Sequence, residues 1–65
     1  MITGEYILDV VVYHEETKDD IGRGNVFLNK VSVETPLEFY KLAKTIIKKD
    51  FGNDATIRIV GVFKL

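Results

Sequence analysis

At 65 residues and about 7.4 kDa, the chain has room for a single domain, residues 1–65, near the lower size at which a protein folds without a staple. Its 46% hydrophobic and 29% charged residues, with a formal net charge of −1, exclude a disordered chain and a strongly basic nucleic-acid binder. The absence of cysteine removes disulfides, thiolate nucleophiles and sulfur-ligated zinc, so packing alone must hold the fold.

No apolar run approaches the roughly 18 residues of a membrane helix. The opening Met1-Ile2-Thr3-Gly4-Glu5 has neither the basic segment nor the apolar stretch of a signal peptide. The expectation is a soluble, unprocessed, cytoplasmic protein with no membrane contact.

Residues Glu5 to Glu16, EYILDVVVYHEE, are rich in β-branched and aromatic types and predict the first strand, with Tyr6, Leu8, Val10 and Val12 on one face. Thr17 to Gly24 collects charges and two glycines, which predicts a flexible hairpin loop. Asn25 to Glu34 predicts the second strand, with Phe27, Val31 and Val33 on one face and Asn29 as a polar exception that marks a bulge. Thr35-Pro36-Leu37-Glu38 then supplies a hydroxyl N-cap, a proline at the first helical position and a glutamate at the third. A helix follows from Pro36 to Phe51, with Phe39, Leu42, Ala43, Ile46 and Ile47 as its buried stripe and Gly52 as its C-cap. Ala55 to Leu65 alternates again and predicts the third strand, with Ile57, Ile59, Phe63 and Leu65 on one side and Arg58, Val60 and Val62 on the other.

The order ββαβ makes an α+β domain. A helix of this length returns the chain to the far end of the hairpin, so the third strand runs antiparallel to the first and pairs with it, giving a three-stranded sheet of order 2-1-3 with one helix on one face. Order 1-2-3, with a parallel pair, is the alternative. The element order resembles the opening of ubiquitin-like β-grasp domains, whose later strands have no counterpart here.

Catalytic chemistry finds few residues to work with. Ser32 is the sole serine and His14 the sole histidine. In the hairpin they stand about 20 Å apart at the usual strand rise, too far to share a proton. Glu15, Glu16, Asp19 and Asp20 crowd one loop but lack the spacing that wraps calcium, and read as a solvated acidic turn. Gly22-Arg23-Gly24 starts like a phosphate-binding loop, yet Phe27 stands where the dinucleotide fingerprint needs glycine, and a strand follows rather than a helix. No enzyme, cofactor or metal site is expected.

Two surfaces remain. On the helix, Lys41, Lys44 and Lys48 share an outward stripe that, with Arg23, offers phosphate contacts for a weak nucleic-acid binder. On the sheet, one helix covers one face and leaves Ile7, Val11, Tyr13, Val26, Leu28, Val60 and Val62 on the other, interrupted by Asp9, Lys30 and Arg58. Charge is also uneven, −5 over residues 1–20 and +4 over residues 21–65, so the acidic end of the hairpin offers a patch for a basic partner. The sequence predicts a small non-enzymatic protein-interaction module, of the kind that phages and mobile elements carry as accessory proteins or inhibitors. Its expected interface is Ile7, Val11, Tyr13, Val26, Leu28, Arg58, Val60 and Val62, and its expected partner is a second copy or another protein, with nucleic acid ranked below.

Overall fold

Strands β1 (Ile2–His14) and β2 (Asp20–Val33) form an antiparallel hairpin in the computed structural model, which describes residues 1–65. Helix α1 (Pro36–Phe51) follows, and strand β3 (Ala55–Lys64) returns along the other side of β1. The sheet has the order β2-β1-β3 with both neighbouring pairs antiparallel, an α+β fold in which the most apolar strand is central. The parallel alternative, order 1-2-3, is excluded.

The hairpin is longer than local propensity suggests. Ile2 and Gly4 pair with Val33 and Val31, so β1 starts before Glu5. Gly22 and Gly24, expected in a loop, lie in β2 opposite Val12 and Val10, and the turn shrinks to residues 15–19. There Lys18 adopts a left-handed φ of 66°, and the His14 amide donates to the Asp19 carbonyl at 2.8 Å. Glycine and charge favour a turn only weakly, whereas the apolar β1 offers an unbroken ladder of backbone partners; pairing overrides the local preference.

Three register shifts decide which side chains face the helix. Each places one extra residue in an outer strand: Ile21 and one of Asn29–Lys30 in β2, and Val60 in β3. Lys30 carries a φ of 55°, the mark of the second of these bulges. Because side chains alternate with a period of two, each extra residue inverts the phase of everything beyond it. In β2, Val26 and Leu28 before the bulge and Val31 and Val33 after it therefore all face α1. The expected assignment is corrected here: Val26 and Leu28 belong to the buried core, while Phe27, expected beneath the helix, pairs with Ile7 on the opposite face and is 54% exposed. The β3 bulge acts in the same way. Phe63 pairs with Ile7 on the outer face, and Val62 pairs with Leu8 on the helix side, half exposed.

The helix is fixed at both ends by its own sequence. The Thr35 hydroxyl accepts from the Glu38 amide at 3.2 Å, and the Glu38 carboxylate reaches back to the amide of Glu34 rather than to that of the cap. At the other end the Gly52 amide, with φ 101°, donates to the Lys48 carbonyl. Between them Phe39, Ala43 and Ile47, spaced by four, press onto Leu8, Val10, Val12, Val26, Leu28, Val31, Ala55 and Ile57. Tyr6 meets Phe39 edge to face at 5.1 Å. Tyr40 reaches β3, where its hydroxyl donates to the Ile57 carbonyl at 3.1 Å and lies 3.3 Å from the Thr56 hydroxyl.

Candidate interaction face

With α1 on one side, the opposite side of the sheet has no covering element, and its side chains stand in cross-strand rows set by the register. The first row is Phe27–Ile7–Phe63, the next Asn25–Asp9–Gly61, and the third Arg23–Val11–Arg58. Tyr13 follows with Asp20 and Thr56 as partners. Val60, the extra residue beside Gly61, follows the core-side Ile59 and so adds to this face; it is half exposed.

Exposure varies along these rows in a way that composition conceals. Phe27 and Phe63, at 54% and 60%, stand out on either side of a half-buried Ile7. The Phe63 ring lies across Gly61, where an added Cβ would come within 3.1 Å of it and 3.5 Å of the Asp9 Cβ. Val11 by contrast is only 8% exposed although it is no part of the core beneath the helix. Its cross-strand neighbours are two arginines, whose aliphatic stems shelter apolar surface while their heads stay wet. Arg23 also leans toward Asp9, Nη2 to Oδ2 at 3.6 Å. Both groups are well exposed, so the pair contributes little stability but fixes where the charges sit.

Of the eight residues read from sequence as an interface, the structure brings five together here: Ile7, Val11, Tyr13, Arg58 and Val60. Val26, Leu28 and Val62 lie on the helix side. Strict alternation puts Phe27 and Phe63, the most prominent side chains of the face, on the wrong side; Asn29 and Gly61, residues that weaken a regular ladder, are the sequence signals that flag the bulges.

The other candidate residues do not converge. His14 stands at the hairpin turn while Ser32 pairs with Thr3 at the opposite end of β1. An open, polar depression of about 310 Å³ is lined by His14, Glu16, Thr17, Asp19 and Asp54, and no group of three or more acidic or imidazole side chains comes together there to hold a metal ion. The lysine stripe is divided by local bonds. Lys44 Nζ rests 5.9 Å from the Tyr40 ring and Lys48 Nζ donates to the Asn53 carbonyl, while Arg23 lies on the far side of the sheet. A smaller groove of about 120 Å³ runs between β2 and α1, lined by Phe27, Leu28, Asn29, Val31, Leu42 and Ile46. The helix is neither long nor apolar enough to cross a membrane.

No family model, curated protein or solved structure matches the chain significantly.

Proposed function

We propose that this protein is a non-enzymatic interaction module whose contact surface for another protein chain is the outer face of the sheet. One observation carries the reading: two phenylalanines, each more than half exposed, flank Ile7 in a single cross-strand row on a sheet that is covered on its other side. A solvated antiparallel face is ordinarily polar, and large aromatic side chains concentrated in one row have the composition of a contact centre. The arginine row, beyond the intervening Asn25–Asp9–Gly61 row, adds the second residue type enriched at such centres. The serine, histidine and acidic groups form no constellation that supports a reaction, and the local contacts of Lys44 and Lys48, with Arg23 on the opposite side of the sheet, give nucleic acid no observation in its favour.

Photo-cross-linking tests this reading. A photoreactive amino acid placed at Phe27 or Phe63 is expected to give discrete protein adducts in the native host, and the same group at Lys49 on the helix is expected to give none. Adducts confined to Lys49, or an absence of protein adducts at Phe27 and Phe63, would overturn it.

A further inference from the structure

We infer that the chain seated on the outer face is a second copy of this protein, related by a two-fold axis that runs across the strands at the level of Asp9. The inference rests on the interaction reading above and adds the partner and its orientation.

The argument is one of self-complementarity. When two copies pack face to face about such an axis, β2 lies over β2, β1 over β1 and β3 over β3, each pair antiparallel. The order of rows is thereby reversed. The row Phe27–Ile7–Phe63, one step from Asp9 on one side, is laid against the row Arg23–Val11–Arg58, one step away on the other. Phe27 meets the second copy's Arg23, Phe63 meets its Arg58, and Ile7 lies over its Val11, against the arginine stems that shelter it. Aromatic faces receive guanidinium groups and aliphatic meets aliphatic. One row further out, Glu5, with the bulge residues Asn29 and Lys30 beside it, is laid against the row of Tyr13 and Asp20, which brings the Glu5 carboxylate near a hydroxyl donor and the Lys30 ammonium near a carboxylate.

The other two-fold arrangement, with its axis along the strands, lays Arg23 on Arg58 and Glu5 on Glu5, which sets like charges against each other. Asp9 faces its own copy in both arrangements, held in each chain by Arg23. The strands' outward charges are Glu5, Asp9 and Asp20 against Arg23, Lys30 and Arg58, so the face is neutral as a whole. Neutrality disfavours a polyanion, and patterned charges within it suit a partner carrying the same pattern.

Size places the contact among interfaces of known extent. Three strands about 4.8 Å apart and the eight residue steps from Glu5 to Tyr13 give a footprint of about 400 Å² per copy. The pair then buries about 800 Å² in all, at the low end for specific complexes, the class in which transient association that reverses on dilution is found. Aligned packing with the helices outside accommodates the twist of the two sheets, and the rows nearest the axis stay in register.

The test is sedimentation equilibrium across a dilution series, with far-ultraviolet circular dichroism to verify the fold of each variant. The wild type is expected to pass from twice 7.4 kDa to 7.4 kDa on dilution. Phe63→Arg sets guanidinium against Arg58 of the second copy and should remain at 7.4 kDa throughout. Adding Arg58→Glu should restore dimerisation, because the new charges complement one another across the axis, whereas within one chain they stand five residues apart on the same strand. A folded Phe63→Arg protein that still dimerises, or a double variant that fails to regain the dimer, refutes the orientation. A wild type that stays monomeric at 1 mM refutes the second copy as partner. Adducts with a different protein at Phe27 and Phe63 would then leave the interaction reading standing, and capture by the monomer of a single-stranded oligonucleotide, lost in Phe63→Ser, would replace both.

Discussion

The bulge in β2 makes a prediction that contrasts two adjacent residues. Under strict alternation Phe27 is core and Leu28 is surface; with the extra residue at Asn29–Lys30 the roles reverse, and Leu28 is 2% exposed beneath α1. Leu28→Ala removes a buried side chain and leaves a hole that its neighbours fill only in part, at a cost of about 3 kcal/mol. A domain of this size has a total stability of about 3 to 5 kcal/mol, so the variant should be largely unfolded or on the verge of it. Phe27→Ala forfeits only the burial of a half-covered ring, about 1 kcal/mol, and should unfold only slightly more easily than wild type. Urea denaturation followed by circular dichroism measures both, at high dilution, so that any effect of the proposed association stays separate from that of the core. Equal destabilisation by the two substitutions, or a larger one for Phe27→Ala, would refute the inverted phase and with it the composition of the outer face.

Three further substitutions probe other elements by the same assay. Thr35→Ala removes the acceptor for the Glu38 amide and should lower stability by about 1 kcal/mol; a change within a few tenths of zero would show that the cap is dispensable. Tyr40→Phe keeps the ring and deletes the hydroxyl bonded to the Ile57 carbonyl, which should cost about 0.5 to 1.5 kcal/mol and leave oligomeric state unchanged. Gly24→Ala should stabilise by about 0.4 to 1 kcal/mol, because a Cβ there meets nothing within 4 Å, its φ is not left-handed, and glycine only adds freedom to the unfolded chain; a loss of stability would mean that β2 at Gly24 is less regular than described.

The legible and illegible parts of this fold differ in how local their causes are. The helix could be read to the residue, since Thr35, Pro36 and Glu38 act on a backbone within four positions and Gly52 closes the other end. Strand order followed from the helix length and the apolarity of β1. The faces of β2 and β3 were harder, because an extra residue such as Val60 carries no chemical mark of its own. Its effect exists only relative to the strand beside it, where Asp9 opposes Gly61 and Val10 opposes Ile59. Asn29 signals a bulge, yet strict alternation takes no account of its consequence, the inversion of Val26, Phe27 and Leu28. Ile7, Val11, Tyr13 and Arg58 lie in β1 or before the β3 bulge, where the phase is undisturbed, and those were placed correctly. Gly22 and Gly24 misled for the opposite reason: their composition speaks for a loop, and only the pairing offered by Val12 and Val10 holds them straight.

The distribution of the bulges also bears on how far assembly can proceed. A flat, uninterrupted outer strand would offer its free amides and carbonyls to another such strand, and that one to the next, which is the route to an open-ended fibril. In β2 the irregularities leave regular runs from Gly22 to Leu28 and from Val31 to Val33, and in β3 the ladder is broken at Val60. Neither border can propagate in register for long. Contact between broad faces, by contrast, uses up the surface that made it: once two sheets are stacked, each presents only its helix outward. If the proposed face-to-face pairing holds, a chain of 65 residues can carry aromatic groups on its open sheet face with growth that stops at two.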